Sequence, residues 1–284
     1  CIMAGGSDSM STAPHMVFNA RYGQKYGHME MRDSMWDSLT NLGVGPAMGI
    51  TAENVADKYD ITREQMDAYS FRSQQRAVAA IDAGRFEEEI IPVTVKSRKS
   101  ETVYTVDEYP KRNATLEGLQ KLKPAFKEGG KVTAGNASGM NDASSGVILM
   151  SEEKAKELGC PIMAKVVSVA TTGVEPELMG IGPISSTKKA LEKAGLTVDD
   201  IDLFEINEAF SSQCLACQKE LGVPDEKLNV NGGGISLGHP VGATGSRIVI
   251  TLMYELKRRK QRYGVATLCA GGGMGTTVVI EMCE

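Results

Sequence analysis

His239 and Cys269 stand in sequence contexts suited to proton transfer. His239 lies between Gly238 and Pro240, so the proline restricts it to extended backbone, and histidine is the common general base near neutral pH. Cys269 precedes the turn 270–273, Ala-Gly-Gly-Gly, whose backbone N–H groups could point at a developing negative charge, as in an oxyanion hole. The alternatives are a structural histidine and a buried core cysteine.

Two further segments could contact a ligand. Asn207 opens the sequence Asn-Glu-Ala-Phe directly after the apolar run 203–206, and α/β sheets bind ligands at the carboxyl ends of their strands. The small residues of 133–139, Thr-Ala-Gly-Asn-Ala-Ser-Gly, would let the backbone approach a narrow ligand such as a pantetheine arm. Taken alone, Asn207 could equally cap a helix, and 133–139 could be an ordinary strand-to-helix loop.

The cysteines indicate a reduced setting without disulfide bonds or bound metal. Their spacing is irregular, and a chain of 284 residues can bury a core without disulfide bonds. Cys214 and Cys217 form a C-x-x-C, but they lie in the apolar helical run 210–221, with no histidine or second cysteine pair nearby. This context favours buried packing over a metal or redox site, so we predict no metal and a cytoplasmic location.

Charge and hydropathy exclude two classes of partner. The net charge is -5, which gives a nucleic acid no electrostatic support. No stretch approaches the roughly 18 apolar residues of a membrane helix, so we predict no membrane partner. With 42% hydrophobic residues, the chain is long enough for one large or two medium globular domains.

The elements that would position these residues change character along the chain. Residues 10–49 are irregular, which indicates a functional or interface loop. A capping box at 62–65 opens a helix, and 90–106 predict a pair of strands, so the middle of the chain reads as an α+β insertion. After Asn141 apolar runs alternate with helical segments, which predicts a mainly parallel or mixed sheet covered by helices.

A five-residue repeat links the two ends of the chain. Residues 2–6, Ile-Met-Ala-Gly-Gly, resemble residues 268–272, Leu-Cys-Ala-Gly-Gly, and each is an apolar strand that runs into glycines. His239 and the helix start near Gly242 precede the second copy by about thirty residues. The first copy should have an equivalent helix start, at a position upstream of Cys1.

Six motifs together resemble the thiolase family in order and spacing, over essentially the whole chain. They are 4–11, 48–54, 133–139, 207–210, 237–245 and 269–275. The resemblance implies an α/β thiolase fold, layered α-β-α-β-α with duplicated βαβ halves, an incomplete first half and an inserted α+β loop domain. The implied domains are 1–11 with 141–161 as the remainder of the N-terminal core, 12–140 as the loop domain for CoA binding and oligomer contacts, and 162–284 as the C-terminal domain.

The resemblance further implies an acyltransferase. The expected activity is that of an acetyl-CoA C-acetyltransferase, the reversible Claisen condensation of two acetyl-CoA to acetoacetyl-CoA and CoA. The alternatives are a 3-ketoacyl-CoA thiolase of fatty-acid β-oxidation, or an inactive fragment that binds CoA or needs a separate N-terminal chain. Acyl-CoA and CoA would be substrates, with no tightly bound cofactor, and the family suggests a homotetramer.

The family's chemical roles, carried onto the matching positions, fall on four residues. His239 would activate the nucleophile and bind the thioester oxygen together with a water held by Asn207. Cys269 would remove or return the α-proton, and the Gly271 N–H would donate to a second oxyanion hole. The CoA site would comprise Ser138, Ala134, Met140, Met48, Ala209, Phe210 and Lys111.

Three positions depart from the family's pattern. Lys111 stands where many relatives carry an arginine, which keeps the charge without planar stacking, and Ala47 replaces a histidine. The family's nucleophilic cysteine occupies a helix N-terminus, where the helix dipole favours a thiolate. Cys1 instead abuts the Ala-Gly-Gly strand, so we predict that the nucleophile lies upstream of Cys1. We therefore expect this chain alone to be inactive and the full-length enzyme to be active.

Overall fold

The computed structural model describes residues 1–41 and 43–283, which form a helix-covered sheet preceded by a mixed α+β region. In chain order the strands are β1 (Ile2–Ser9), β2 (His15–Val17), β3 (Met31–Asp33), β4 (Val93–Lys96), β5 (Glu101–Tyr104), β6 (Asp142–Leu149), β7 (Ala164–Gly173), β8 (Leu203–Ile206), β9 (Tyr263–Ala270) and β10 (Met274–Met282). The α-helices are α1 (Ser34–Thr40), α2 (Met48–Lys58), α3 (Arg63–Asp82), α4 (Leu116–Gln120), α5 (Glu152–Glu157), α6 (Gly182–Ala194), α7 (Ser211–Leu221), α8 (Gly234–Leu237) and α9 (Thr244–Arg259).

The main sheet has the strand order β7-β10-β9-β8, in which β8 runs parallel to β9 and the other pairs are antiparallel. Side chains alternate between its two faces. Phe204 and Val265 pack with residues of α6 and α7 on one face, whereas Leu203 and Ala266 pack with residues of α9 on the other. Because both faces are covered by helices, the sequences of the strands are continuous apolar runs. The predicted mixed sheet is observed, with two antiparallel pairs and one parallel pair.

Each copy of the sequence repeat lies in a strand that pairs antiparallel with a strand later in the chain. β1 pairs antiparallel with β6, with Ala4 opposite Val147, as β9 pairs antiparallel with β10. An added Cβ at Gly6 would overlap the Gly242 carbonyl oxygen, and the Gly242 N–H donates to Asp8 Oδ2 at 3.1 Å. These contacts fix β1 against the start of α9, close to His239 in the chain.

The region between β1 and β6 is more regular than the sequence predicts at its start. Residues 10–49 contain the β2–β3 hairpin and helix α1, whose N-terminus is capped by the Asp33 side chain. The predicted capping box is present, because Thr62 and Gln65 bond reciprocally at the start of α3. The predicted strand pair within 90–106 is the shorter β4–β5 hairpin.

Glu89 is a carboxylate that follows α3 in the chain and contacts α9. Its Oε1 accepts a hydrogen bond from Thr251 Oγ1 at 3.1 Å, and its buried Oε2 has no partner within 1–41 and 43–283. Burial is the main cause that raises the pKa of Glu89 to about 7. The folded state therefore holds a proton that the unfolded chain releases at lower pH.

We expect Glu89→Gln to stabilise the fold at alkaline pH. The stabilising effect of the raised pKa is complete below the unfolded carboxyl pKa and is lost as pH rises through about 7. Between pH 5.5 and 8.5 the free energy of unfolding of the parent should therefore fall by about 2 kcal/mol, whereas that of the variant should not show this fall. Urea unfolding at both pH values measures this difference. The control is Glu88→Gln, which removes a neighbouring exposed carboxylate. If Glu89→Gln changes the free energy of unfolding equally at both pH values, the expectation is contradicted.

Candidate active site

His239 is held in a loop between α8 and α9. The preceding Gly238 has φ +93°, and an added Cβ there would overlap the Asn141 side chain, so the position requires glycine on both counts. The Gly238 N–H donates to the Gly234 carbonyl at 3.0 Å and closes the short turn of α8. The predicted sharp glycine path before His239 is therefore observed, and it aims the imidazole at the end of β8.

The hydrogen bonds of the imidazole define its tautomer. His239 Nδ1 lies 2.7 Å from Thr244 Oγ1, and the Thr244 hydroxyl donates to the Pro240 carbonyl at 2.9 Å. Since that hydroxyl proton is already used, Thr244 Oγ1 accepts from Nδ1–H. Nε2 then carries a lone pair, which accepts from Asn207 Nδ2 at 3.2 Å. The imidazole is thus oriented as a base through Nε2.

The surroundings of His239 keep its ring neutral. Burial, followed by the positive charge of Arg247, lowers the pKa of His239 to about 4, against a smaller opposing effect of Asp8. A proton on Nε2 is therefore unfavourable unless an anion forms beside it. Nε2 can accept a proton from a neighbouring acid, and it becomes a hydrogen-bond donor only in the presence of the resulting negative charge.

Asn207 stands at the carboxyl end of β8, where its side chain reaches His239. It is 1% exposed, and its backbone N–H donates to the Thr267 carbonyl at 2.9 Å, which continues the parallel β8–β9 pairing by one residue. Its Nδ2 contacts His239, whereas the buried Oδ1 has no partner among the described residues. The amide is a preformed polar group beside Nε2, as the sequence predicts for this strand end.

Cys269 lies at the same edge of the sheet as Asn207. It follows Thr267 by two residues on β9, and the parallel register puts the ends of β8 and β9 side by side. The side chain is buried, and burial raises the pKa of the Cys269 thiol to about 12. The thiol is therefore protonated at rest, and its thiolate would be a strong base.

The glycine turn after Cys269 is fixed by a neighbouring loop. Gly272 and Gly273 have φ near +90°, and Val174 N–H donates to the Gly273 carbonyl at 2.7 Å. An added Cβ at Gly273 would overlap the Val174 carbonyl oxygen. The Gly271 N–H makes no hydrogen bond within the described part of the chain. It is therefore available as a donor, as an oxyanion hole requires.

Several residues predicted to contact CoA form one cluster. The segments around Ser138 and Phe210 are joined by an isolated antiparallel β-bridge between Ala137 and Phe210, and the Ser138 N–H donates to the Ala209 carbonyl at 3.0 Å. Phe126 packs edge-on against Phe210 at 6.3 Å between ring centroids, and its ring fills the space next to Gly49. Met48, the first residue of α2, packs against the same buried cluster as Ala209 and Phe210. The structure thus brings together Ser138, Met48, Ala209 and Phe210.

The other residues predicted to contact CoA are exposed. Ala134 and Met140 are exposed, and no hydrogen bond joins their side chains to the cluster in the described chain. Lys111 is also exposed; its N–H donates to Gln74 Oε1 at 2.8 Å, and its Nζ lies 6.0 Å from the centre of the Tyr109 ring. The Tyr109 hydroxyl in turn packs against Gly139. Lys111 is therefore linked to the 133–139 loop through Tyr109.

The remaining cysteines make no hydrogen bond to the imidazole in the described part of the chain. Cys1 is exposed at the start of β1, and within residues 1–41 and 43–283 His239 hydrogen-bonds to Asn207 and Thr244 and to no cysteine. Cys214 and Cys217 are buried in α7, where their thiols donate to the Asn207 and Gly180 carbonyls at 3.5 and 3.4 Å. This is the packing role predicted for the C-x-x-C. In the same described residues, no helix is long and apolar enough to cross a membrane.

Known families match both halves of the chain. Residues 1–153 match the family described as "Thiolase, N-terminal domain", and residues 160–282 match "Thiolase, C-terminal domain". The chain belongs to the thiolase family. The thiolase fold predicted from the motifs is thereby confirmed, as is the resemblance itself.

Individual thiolases are similar over nearly all of the chain. The acetyl-CoA acetyltransferase of Syntrophomonas wolfei is 54% identical over 99% of this chain and 72% of its own length, and that of Pseudomonas aeruginosa is 50% identical over 98% and 72%. The crystal structure of the Bacillus anthracis acetyl-CoA acetyltransferase superimposes with a TM-score of 0.96, at 48% identity over 99% of this chain and 71% of that one. A human mitochondrial 3-ketoacyl-CoA thiolase in complex with CoA gives 0.95 at 46% identity, over 99% and 70%.

Three residues of this thiolase site were missed by the sequence analysis. Thr244 fixes the imidazole tautomer, and Phe126 packs against Phe210 in the cluster of residues predicted to contact CoA. The buried Glu53 carboxylate accepts from the backbone N–H groups of Lys131 and Val132 at 2.8–2.9 Å. Glu53 thereby anchors the 133–139 loop to α2. Thr244 could have been found from its position five residues after His239, whereas the Glu53 and Phe126 contacts carry no local sequence signal.

We expect His239 to be a neutral Nδ1–H tautomer across the physiological range. In a ¹⁵N-histidine-labelled sample, its two-bond proton–nitrogen correlations should show a protonated Nδ1 and should titrate near pH 4. The chain has three histidines, so His239→Asn assigns the signals by their loss. Thr244→Val, which removes the Nδ1 acceptor, should weaken the tautomer preference. A protonated Nε2 in the parent at pH 7 would refute the assignment.

Proposed function

We propose that this chain belongs to an acyltransferase of the acetyl-CoA C-acetyltransferase type, which as the full-length protein catalyses the reversible condensation of two acetyl-CoA to acetoacetyl-CoA and CoA. The observation that carries the proposal is the approach of His239 Nε2 to Asn207 Nδ2, at 3.2 Å, on the sheet edge that also holds Cys269. The similarity to acetyl-CoA acetyltransferases at about 50% identity supports the same activity.

The proposed chemistry at Cys269 is removal of a proton from the methyl group of acetyl-CoA. The Cys269 thiol first gives its proton to the CoA thiolate that leaves in the acyl-transfer step. The resulting thiolate then takes the methyl proton, so the C–H bond breaks as the S–H bond re-forms, and the electron pair moves to the thioester oxygen as an enolate. Asn207 and His239 stabilise that oxygen, His239 once its Nε2 carries a proton, because donors fixed in a dry site stabilise a forming negative charge strongly. Because burial raises the pKa of the Cys269 thiol to about 12, its thiolate is a strong base for this step, and the thiol that re-forms supplies the proton for the reverse.

His239 has an earlier role in the proposed cycle. Its neutral Nε2 takes the proton of a nucleophilic cysteine, whose thiolate attacks the first thioester; CoA leaves as a thiolate and takes the proton of Cys269. The Gly271 N–H donates to the oxygen of the resulting acyl thioester. The enolate attacks this thioester to form the new carbon–carbon bond, and the nucleophilic cysteine leaves as a thiolate that protonated His239 re-protonates. The nucleophile is proposed to be a residue other than Cys1, since Cys1 is exposed and makes no hydrogen bond to His239 within the described residues.

The cluster around Phe210 is the proposed pantetheine site. Ser138, Met48, Ala209 and Phe210 give it an apolar wall with polar backbone groups, and Ala134, Met140 and Lys111 would contact more exposed parts of CoA. The similar human thiolase has been crystallised with CoA, which supports CoA and acyl-CoA as the ligands. CoA is proposed as a substrate, with no tightly bound cofactor.

A cytoplasmic homotetramer remains the proposed state of the enzyme. The region that would mediate assembly is 10–49, where Tyr22 is 88% and Tyr26 96% exposed. Exposed aromatic side chains of this kind are typical of surfaces that are covered in an assembly.

We expect this chain to exchange the methyl protons of acetyl-CoA for deuterium in D₂O. Exchange needs the Cys269 thiolate, which forms here by ionisation to solvent, and the Asn207 donor, so it requires no nucleophile. Mass spectrometry of recovered acetyl-CoA should show deuterium uptake that Cys269→Ala lowers on the order of 100-fold or more. The exposed Cys283 provides the control, as Cys283→Ser should exchange like the parent. Tight CoA binding without Cys269-dependent exchange would favour the alternative, a non-catalytic CoA-binding protein.

We expect the same chain not to complete thiolysis by itself. Without a thiolate beside His239 no acyl-enzyme forms, so acetoacetyl-CoA should not be cleaved when CoA is added. Loss of the enolate absorbance of acetoacetyl-CoA measures cleavage. CoA-dependent cleavage that disappears in Cys1→Ser, but not in Cys160→Ser, would show that Cys1 is the nucleophile and overturn its assignment.

A further inference from the structure

Glu208, the residue after Asn207, is a buried carboxylate that the proposed mechanism does not use. It is 1% exposed, and it accepts four hydrogen bonds. Oε1 accepts from Tyr69 Oη at 3.0 Å and Asn229 Nδ2 at 3.1 Å. Oε2 accepts from Ser73 Oγ at 2.7 Å and from the Ile235 N–H at 3.1 Å. These four donors fill the acceptor sites of a carboxylate.

The four donors come from separate parts of the fold. Tyr69 and Ser73 lie on α3, in the region between β1 and β6. Asn229 follows α7, and its side chain also bonds to both backbone groups of Ile206, at 2.8 and 2.9 Å, which fixes the end of β8. Ile235 lies on α8, the turn that leads directly to His239. One carboxylate therefore joins α3, the end of β8 and the His239 loop.

The packing around Glu208 leaves little room for these parts to shift. An added Cβ at Gly233 would overlap the Glu208 side chain, and one at Gly234 would lie 2.7 Å from the Glu208 carbonyl oxygen and 3.0 Å from Asn207 Oδ1. The glycines before His239 thus serve close contact with the Asn207 loop, as well as a sharp backbone path. The two loops meet directly at Glu208.

We propose that Glu208 is a positioning residue, whose carboxylate sets the separation of Asn207 and His239 by anchoring both loops to α3. This inference rests on the proposed function. Glu208 touches neither the imidazole nor the Asn207 amide in the hydrogen bonds described, so it acts through the backbone on either side. An amide in its place would turn an –NH₂ group toward two of the four donors, one of which, Asn229 Nδ2 or the Ile235 N–H, cannot accept, and would push one loop away.

The first test is Glu208→Gln in the deuterium exchange assay with acetyl-CoA. Because a misplacement of about 1 Å can cost on the order of 100-fold in rate, the limiting exchange rate should fall by roughly that factor. The KM for acetyl-CoA should stay within about threefold, since the side chains that line the proposed CoA site do not change. A folded variant that keeps a third or more of the parent rate overturns the proposal.

A matched pair on α3 covers the case in which Glu208→Gln does not fold. Ser73→Ala removes one donor to Glu208, whereas Ser70→Ala removes an equally buried hydroxyl, one turn earlier, that donates only to the Met66 carbonyl at 2.9 Å. Exchange should slow about fivefold or more in Ser73→Ala and stay within twofold of the parent in Ser70→Ala, as expected for loss of one hydrogen bond to a charged group. Equal effects in the two variants overturn the proposal.

A readout without catalysis separates this inference from the proposed function. If the parent shows no exchange, the proposed function fails, and the ¹⁵N shift of His239 Nε2 then tests Glu208. That shift reports the hydrogen bond from Asn207, so it should change in Ser73→Ala and not in Ser70→Ala. An unchanged Nε2 shift in Ser73→Ala overturns the positioning role, whatever the protein's activity.

Discussion

The parallel pairing of β8 with β9 is the constraint on which the site depends. Parallel strands end at the same edge of a sheet, so Asn207 and Cys269 lie side by side although sixty residues of chain separate them. The remaining strands of the sheet are antiparallel and could not place two strand ends together in this way. The connection between the two strands contains α7, α8 and α9, and it returns to that edge at the His239 loop, between α8 and the N-terminus of α9.

Burial at this edge acts on its two titrating groups in opposite directions. It lowers the pKa of His239 to about 4 and raises the pKa of Cys269 to about 12, so both are neutral at rest. Each is then costly to charge alone. The site therefore favours steps in which a proton moves as a charge forms close by, and the fixed dipoles of Asn207 and the glycine turn are in place before that charge appears.

Much of this arrangement is local enough to be predicted from sequence. The Gly-His-Pro loop, the Asn-Glu-Ala-Phe strand end and the glycine turn after Cys269 each carry their geometry in adjacent residues, and the order of the motifs gives the fold. The carboxylates that hold these segments in place could not be predicted in this way. Glu53 contacts the 131–132 backbone, and Glu208 contacts α3, through packing between distant elements, and nothing in their neighbouring residues encodes those partners. Regular structure within 10–49 was also missed, because β2, β3 and α1 are too short to give a periodic pattern.

The contact between β1 and the start of α9 has a consequence for how the sequence can vary. Gly6 and Gly242 meet backbone to backbone, and Asp8 accepts the Gly242 N–H. An added Cβ at Gly6 would overlap the Gly242 carbonyl oxygen, and one at Gly242 would lie 2.5 Å from the Ser7 carbonyl oxygen. A side chain at either position would therefore displace β1 or the turn that carries His239. The two positions lie near opposite ends of the chain, and each has to stay glycine for the imidazole to keep its place.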